Sequence, residues 1–262
     1  MAQTVAEEHY VTLKDGTVFY LKQGQGHPLV ILHPVGQSSW VWHKVLGPLS
    51  EHFQCYALDM PGYARSDMPP SDYSIERFSE AIVEFMDKVG IARAHIMGQR
   101  TGAMVSFNLT ATYPERVDKL VIVSCPAWSK EEGRVVYERF MRPMMNEHGV
   151  LQPQTYERLA EGEPYVDRTW AEHEAEVVRE RGGWCAATQR ANTSFNMADT
   201  ERSGRIKAPT LIIYGEYDVL RRKDRLHANI PGSTLKMFPD CGMPNYQTPE
   251  PFAEEVTSFL LS

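Results

Sequence analysis

Continuous apolar runs and stretches of helical periodicity take turns along the chain. Unbroken apolar runs are typical of strands that are buried on both faces of a parallel sheet. Such runs occupy residues 28–33, 53–59, 94–97, 119–124 and 209–215. Two earlier strands are predicted at residues 9–14 and 17–22, on either side of an Asp15-Gly16 turn, and a last one at residues 234–238.

Apolar residues recur at helical spacing between these strands. The predicted helices cover residues 40–50, 75–89, 103–109 and 250–261. Ser74 caps the second of them, and Glu76 lies in its first turn, where a negative charge favours the helix dipole. Strands separated by helices predict βαβ units, so the expected fold class is α/β with a mostly parallel, doubly wound sheet.

The middle of the chain has a different character. It carries short, charged helical patterns at residues 131–146, 155–160 and 169–181, and no convincing buried strand. We therefore expect a core of residues 1–126 and 206–262, with a helical cap of residues 127–205 inserted between two strands.

The composition excludes several classes of protein. The chain has 262 residues, a formal net charge of −7 and 42% hydrophobic residues, which fits one large core with an inserted cap. It has no basic stripe of the kind that binds nucleic acid and no apolar run of about 18 residues that could span a membrane. Its first eight residues lack the basic start and apolar stretch of a secretion signal.

The cysteines indicate a reducing compartment. They stand apart, without a Cys-x-x-Cys pair, which argues against a zinc site and favours free thiols. They are Cys55, Cys125, Cys185 and Cys241. We expect a cytoplasmic protein without a metal or cofactor. The pattern leaves its oligomeric state open, a homodimer included.

The segment Gly98-Gln99-Arg100-Thr101-Gly102 joins a predicted strand to a predicted helix. Glycines at its two ends allow a sharp turn of the backbone and close packing of the helix behind the strand. This is the layout of a nucleophile elbow, whose middle residue is normally Ser, Asp or Cys. Here the middle residue is Arg100.

Further segments appear in an order that is typical of one family. They are residues 33–36 (His-Pro-Val-Gly), 59–66, 113–117, 214–218 and 241–250. With the elbow they make the chain similar, over nearly its whole length, to the α/β-hydrolase superfamily. Ala64 replaces one glycine of the family's Asp-x-Pro-Gly-x-Gly-x-Ser loop. Within the superfamily, the cap-bearing lactonases, C–C bond hydrolases and methylesterases are the most similar.

The resemblance also implies a degenerate catalytic triad. Arg100 holds the nucleophile position, and arginine stays protonated in proteins. Gly242 runs directly into Met243-Pro244 where the family pattern is Gly-His-x-Pro, so the simplest alignment deletes the histidine. The triad acid falls on Asp218. Ordinary Ser-His-Asp ester hydrolysis is therefore not expected.

The same resemblance implies a remaining anion-binding site. It assigns an oxyanion hole to the backbone N–H groups of Val35 and Thr101. With Arg100 at its floor, such a pocket would receive a carboxylate, a phenolate or an enolate. Two roles for Arg100 stay open: an anchor for such an anion, or a partner that neutralises Asp218 after the loss of the histidine.

Several other side chains are candidates for contact with a substrate. They are His33, Gln99, Trp128, Cys241 and Tyr246. In the resembled family the residue at position 33 usually supports its own loop. A lone cysteine, such as Cys241 or Cys125, is usually a small buried residue.

Aromatic and charged residues of the cap supply weaker candidates. The tryptophans either line an aromatic pocket or belong to the core. They are Trp40, Trp128, Trp170 and Trp184. His173 is expected to face solvent, and the acidic run at residues 172–180 is expected to be a solvated helix face.

Two classes of function follow. The first is a non-hydrolytic enzyme of the decarboxylase, lyase or cyclase type, acting on an anionic, aromatic or polyketide-like substrate through Arg100, the two N–H donors and Asp218. The second is an inactive pseudohydrolase that binds a small molecule or a protein. Residual ester or lactone hydrolysis by a directly activated water is a third alternative. The expected partner is a small-molecule substrate or ligand, and not nucleic acid or a membrane.

Overall fold

The sheet contains the buried strands that the apolar runs predict. A computed structural model describes residues 5–163, 166–218 and 223–262. Residues 1–4, part of the segment without a predicted secretion signal, lie outside the described residues. The strands are β1 Glu7–Leu13, β2 Gly16–Gln23, β3 His27–Leu32, β4 Phe53–Leu58, β5 Ala94–Gln99, β6 Val117–Val123, β7 Thr210–Gly215 and β8 Thr234–Phe238.

The strands form one eight-stranded sheet in the order β1-β2-β4-β3-β5-β6-β7-β8. β1 pairs antiparallel with β2, and β2 with β4, while all other neighbours are parallel. The predicted fold class, a mostly parallel and doubly wound α/β sheet, is confirmed.

Helices connect the parallel strands. They are α1 His43–Ser50, α2 Ile75–Lys88, α3 Thr101–Thr112, α4 Lys130–Val136, α5 Tyr156–Gly162, α6 Arg168–Ser194, α7 Thr200–Gly204, α8 Lys223–Asn229, α9 Pro244–Gln247 and α10 Pro249–Leu261. Short 3-10 turns occupy Ser39–Trp42, Pro114–Arg116 and Arg142–Met144, and a π turn occupies Tyr137–Met141. In the described part of the chain, none of the helices is long and apolar enough to cross a membrane.

Alternate residues of each central strand face opposite sides of the sheet, as the two-residue period of a strand requires. Leu29 and Ile31 of β3 pack in a cluster with residues of α1 and α10. Val30 and Leu32 of the same strand pack in a second cluster with residues of α2 and α3. Both faces of the sheet are therefore buried by helices, which explains the unbroken apolar runs of the sequence.

The described residues between β6 and β7 form helices and connecting turns, and they pair as strands only in the isolated bridge Met145–Leu151. We call residues 127–205 the cap segment. Its long helix α6 extends beyond the predicted 169–181 and continues to Ser194 through a kink at Arg181, where φ is −123° and ψ is 19°. The sequence favours a stop there because Gly182-Gly183 are weak helix formers. The helix continues because its next turns are buried, Trp184 among them.

Candidate functional site

The elbow turns sharply between β5 and α3. Arg100 at its tip has φ 50° and ψ −108°, a conformation that costs a non-glycine residue of order 1–3 kcal/mol. Its N–H donates to the carbonyl of Val123 at 3.0 Å. A Cβ on Gly98 would lie 2.2 Å from the carbonyl oxygen of Gly102, and a Cβ on Gly102 would lie 2.2 Å from that of Leu32. Both glycines are therefore needed for α3 to pack this closely.

A carboxylate from the cap segment binds the guanidinium of Arg100. Nη1 and Nη2 donate to Oε1 and Oε2 of Glu163 at 3.1 and 3.0 Å. The two side chains are only 16% and 19% exposed. Two-pronged arginine–carboxylate pairs are strong and geometrically specific. The place in front of Arg100 therefore fits a carboxylate, and Glu163, which the sequence did not single out, occupies it.

A second carboxylate of the cap segment lies beside this pair. Glu174 on α6 packs against the loop after β3, where a Cβ built on Gly36 would lie 3.3 Å from its Cγ and 3.7 Å from its Cδ. Burial raises the pKa of Glu174 from 4.5 to about 8, and the charge of Glu163 adds to the rise, while Arg100 opposes it. The expectation that residues 172–180 form a solvated face is wrong for Glu174, because its position on the helix turns it towards the core.

Val35 and Thr101, the predicted anion-binding pair, lie together. The side chain of Thr101 occupies the position in front of the Val35 N–H. The Val35 N–H donates to the Thr101 hydroxyl oxygen at 3.2 Å. The same oxygen accepts a hydrogen bond from Nδ2 of Asn192 at 2.8 Å. Asn192 belongs to α6 and is 4% exposed, so a side chain of the cap segment holds Thr101 in place.

His33 is fixed as a support for its own loop. Its Nδ1 lies 2.7 Å from the carbonyl oxygen of Pro34, and its Nε2 accepts the Met60 N–H at 2.9 Å. This pattern places the proton on Nδ1 of a neutral ring. Complete burial lowers the pKa of His33 from 6.5 to about 4. Both ring nitrogens are engaged inside the protein, so His33 supports its own loop.

The loop that would carry a catalytic histidine is folded around Gln247. The N–H groups of Gly242 and Met243 donate to Oε1 of Gln247 at 2.8 and 3.0 Å. Gly242 stands two residues before Pro244, where the family pattern has its histidine, and it offers no side chain. The shortened loop is thus stabilised by Gln247 and supplies no proton carrier at this position.

Gln99 and Asn245 form a buried amide pair beside the elbow. Nδ2 of Asn245 donates to Oε1 of Gln99 at 3.3 Å, and both side chains are completely buried. Among the described residues, Nε2 of Gln99 and Oδ1 of Asn245 have no hydrogen-bond partner. An unpaired polar atom in the interior costs about 1–3 kcal/mol. Gln99 therefore keeps the donor capacity that makes it a candidate for ligand contact.

Asp218 follows β7 and is 2% exposed. Burial raises the pKa values of the Cys125 and Cys241 thiols, and the negative charge of Asp218 adds to both shifts. The two cysteines are almost completely buried, so they are small core residues and not reactive thiolates. Across the described residues, no group of three or more His, Cys, Asp or Glu side chains could hold a metal ion.

Three of the tryptophans belong to the core and not to an open aromatic pocket. They are Trp128, Trp170 and Trp184. Nε1 of Trp128 donates to the carbonyl of Asn192 at 3.1 Å, which joins the start of the cap segment to α6. Trp128 therefore contributes to the packing of the cap segment, and its N–H is used within the protein.

Tyr246 and His173 bind across the boundary between the cap segment and the core. The Tyr246 hydroxyl lies 2.9 Å from each carboxylate oxygen of Asp167. The His173 ring stacks on Trp40 with a centroid distance of 4.3 Å, and its Nε2 lies 2.9 Å from Oγ of Ser38. The expectation that His173 faces solvent is wrong, because α6 lays this face on the loop after β3.

Glu163, Glu174 and Asn192 are the site residues that sequence reasoning missed. Glu163 and Asn192 lie 63 and 91 residues from their elbow partners, and no local motif marks them. Glu174 carries one usable signal, because it shares a helical face with the apolar residues Ala171 and Val178. That spacing predicts an inward position for a residue that composition alone assigns to the surface.

Comparisons with known proteins agree with the observed fold. A family model described as "alpha/beta hydrolase fold" matches residues 27–155. An uncharacterised protein of Mycobacterium tuberculosis is 24% identical over an alignment of 271 positions. The alignment covers 90% of this chain and 76% of that protein. A 2-hydroxy-6-oxononadienedioate/2-hydroxy-6-oxononatrienedioate hydrolase of Comamonas testosteroni is 25% identical over 236 residues, 84% of this chain and 82% of that enzyme.

A solved structure of E-2-(acetamidomethylene)succinate hydrolase superposes with a TM-score of 0.80. The match covers 98% of this chain and 100% of that chain, at 20% sequence identity. At this identity the likeness is one of fold, and it extends through both the core and the cap segment.

Proposed function

Because the chain belongs to the α/β-hydrolase superfamily but carries arginine at its elbow, we propose that it is a non-hydrolytic small-molecule enzyme on that scaffold. The reaction is of the decarboxylase, lyase or cyclase type, and the substrate is an anionic, aromatic or polyketide-like molecule. The observation that carries the proposal is the two-pronged pair of Arg100 with Glu163, which supports a carboxylate site beneath the cap segment.

The backbone of Arg100 supports a functional role for this side chain. Strained conformations persist where the surrounding structure enforces them, and they cluster at active sites. A guanidinium cannot attack a substrate, so Arg100 acts through its charge. It holds a carboxylate of the substrate, or it stabilises the negative charge that develops when a carbon–carbon bond breaks. No covalent intermediate is needed.

The substrate reaches Arg100 by taking the place of Glu163. One carboxylate then replaces another on the same two guanidinium nitrogens, so the number of charged hydrogen bonds is kept. Glu163 acts as an internal competitor, and its removal strengthens binding. The similar hydrolase of Comamonas testosteroni is named for a dienedioate, a molecule with two carboxylates, which supports a carboxylated substrate for this chain.

A specific observation favours the second candidate, an inactive pseudohydrolase that binds a small molecule or a protein. Both predicted anion-binding places are filled by the chain's own side chains, Glu163 at Arg100 and the Thr101 hydroxyl at the Val35 N–H. Under this alternative the pair of Arg100 with Glu163 is a permanent structural contact, and no carboxylate from solution replaces it.

Calorimetric titration with phenylpyruvate, a carboxylated aromatic, separates the two candidates. We expect the wild type to bind, Glu163→Gln to bind about tenfold more tightly, equivalent to ~1.4 kcal/mol, and Arg100→Ala to lose binding. Glu161→Gln, which changes an exposed glutamate two residues earlier, is the matched control and should behave as the wild type. Absence of binding in both the wild type and Glu163→Gln would refute the enzyme proposal and favour the structural pair.

A further inference from the structure

Glu174 lies where α6 of the cap segment crosses the loop after β3. Its Cγ and Cδ pack against Gly36, the residue next to the Val35 donor. The loop itself lies on the elbow, since a Cβ on Gly102 would come within 2.2 Å of the Leu32 carbonyl oxygen and 2.9 Å of that of His33. Glu174 therefore sits over the same corner of the sheet that positions Arg100.

The groups that face Glu174 come from every element around it. Glu163 follows α5, Arg100 lies at the elbow, Gln37 lies in the loop after β3, and Cys185 lies further along α6. The Glu163 charge disfavours ionisation of Glu174, while Arg100 and Gln37 favour it. Cys185 is itself buried, and burial raises the pKa of its thiol to about 12, so it stays neutral.

We propose that Glu174 is the proton-exchanging group of this site, taking a proton from and returning it to the carbon next to the carbonyl of a substrate whose carboxylate is bound by Arg100. This inference rests on the proposed function, because it needs an anion at Arg100. It assigns to the cap segment the acid and base role that the missing loop histidine cannot fill.

The chemistry is a balanced proton transfer. The Glu174 carboxylate removes a proton from the carbon next to the carbonyl, the C–H electron pair becomes the C=C bond of an enolate, and the π pair of the carbonyl moves to its oxygen. The negative charge then lies on the enolate oxygen, next to the bound carboxylate and within the field of Arg100. Glu174, now a carboxylic acid, returns the proton to carbon. In a decarboxylation or C–C cleavage, only this second half is used.

Burial of the carboxyl suits both halves of that cycle. A carboxyl whose pKa is raised to about 8 exists in both protonation states near neutral pH, whereas an exposed glutamate would be almost wholly ionised. When Arg100 binds a substrate in place of Glu163, a carboxylate still faces Glu174. The negative charge of that carboxylate keeps the pKa of Glu174 raised, so a protonated Glu174 is present to donate its proton to a carbanion.

The first experiment measures the exchange of the C3 hydrogens of phenylpyruvate for deuterium in D₂O by proton NMR. We expect exchange above the buffer rate for the wild type and Glu163→Gln, rising with pH through about 8, where Glu174 ionises. Glu174→Gln should lower the rate by about 10²-fold while phenylpyruvate still binds. Glu172→Gln alters an exposed glutamate of the same helix and should leave the rate unchanged.

The outcomes separate this inference from the proposed function. The role of Glu174 would be overturned if phenylpyruvate bound to the wild type without hydrogen exchange. It would also be overturned if Glu174→Gln exchanged hydrogen at the wild-type rate. Neither result would contradict the carboxylate site at Arg100. Absence of binding to the wild type and Glu163→Gln would overturn both.

A second experiment follows the carboxyl directly in protein labelled with ¹³C at glutamate Cδ. We expect one carboxyl resonance to titrate near pH 8 and to be absent from Glu174→Gln. In Glu163→Gln the midpoint of this resonance should move down, since the neighbouring negative charge is gone. A Glu174 resonance that titrates near its ordinary value of 4.5 would refute the proposal.

Discussion

The hydroxyl oxygen of Thr101 lies 3.2 Å from the backbone nitrogen of Val35, where a hydrolase of this superfamily would hold the oxyanion of its substrate. The amide of Asn192 fixes that hydroxyl from the opposite side at 2.8 Å. One of the two donors that the resemblance assigns to the oxyanion hole, the Val35 N–H, is thus satisfied by the protein itself. This arrangement joins the elbow, the loop after β3 and the cap segment through one oxygen atom.

Removal of this oxygen should destabilise the protein. In Thr101→Ala the Val35 N–H and the Asn192 amide lose a shared acceptor, which we expect to cost about 1–3 kcal/mol of unfolding free energy. The melting temperature of a chain of this size should fall by about 2–4 °C for each kcal/mol. Differential scanning calorimetry checks this, with Thr101→Ser, which keeps the hydroxyl, as the matched control. Equal stability of the two variants would contradict the assignment.

Restoring a nucleophile should not restore hydrolysis. In Arg100→Ser the new hydroxyl has no histidine to act as its base, because both nitrogens of His33 are engaged and the loop around Gln247 carries no histidine. We expect release of p-nitrophenol from p-nitrophenyl butyrate to match that of Arg100→Ala. Turnover by Arg100→Ser above that control would show that another residue supplies the base. Turnover by the wild type itself would favour the third alternative, hydrolysis by a directly activated water.

The fold was predictable because its determinants are local. A strand buried on both faces must be apolar at successive positions, as Leu29 to Leu32 are, and the elbow must have glycine where a Cβ would strike a carbonyl. These requirements leave a trace at fixed positions in the sequence. The sheet and the elbow can therefore be derived without knowledge of the rest of the chain.

The occupants of the site were not predictable in the same way. The partner of Arg100 is set by how α5 and α6 lie on the core, and many exposed glutamates in the cap segment have the same local sequence character as Glu163. Glu174 is half-buried while Glu172 is exposed, and the groups that surround Glu174 are set by the packing of α6. The sequence therefore identifies Arg100 at the elbow, but for Glu163 and Asn192 of the cap segment it carries no local motif.

Acid should destabilise the protein because of its buried histidines. Burial lowers the pKa of His33 from 6.5 to about 4, so the unfolded chain takes up a proton in a range where the folded chain does not. The stabilisation is fully present above pH 6.5 and is lost as the pH falls to about 4, and it amounts to ~3 kcal/mol for this group. Burial also lowers the pKa of His95, so this ring acts in the same direction.

Urea denaturation at a series of pH values measures this effect. The free energy of unfolding of the wild type should fall between pH 6.5 and about 4, and the fall should be smaller in His33→Asn, which cannot take up the proton. The slope against pH is the decisive quantity, since the substitution also changes packing. The same slope in both proteins would show that His33 does not contribute.

The position of α6 on the core depends on Gly62, which contacts Trp184 of that helix. Gly62 has φ +84°, and a Cβ at this position would lie 2.3 Å from Cε2 and Nε1 of Trp184. The indole is held against this backbone by edge-to-face contacts with Tyr73 and Phe78, at centroid distances of 5.6 and 5.9 Å. No rotation of a single flexible group can relieve such a clash, so the helix that carries Trp184 would have to move.

We therefore expect Gly62→Ala to destabilise the protein far more than Gly90→Ala. Gly90 has a similar φ of +77° but no atom within 4 Å of the added Cβ, so its substitution reports backbone strain alone, about 1–2 kcal/mol. Replacing Trp184 by leucine in the Gly62→Ala background should recover part of the difference, which a double-mutant cycle on unfolding free energies measures. Strictly additive effects, or equal losses for Gly62→Ala and Gly90→Ala, would mean that Trp184 does not fix the position of the cap segment.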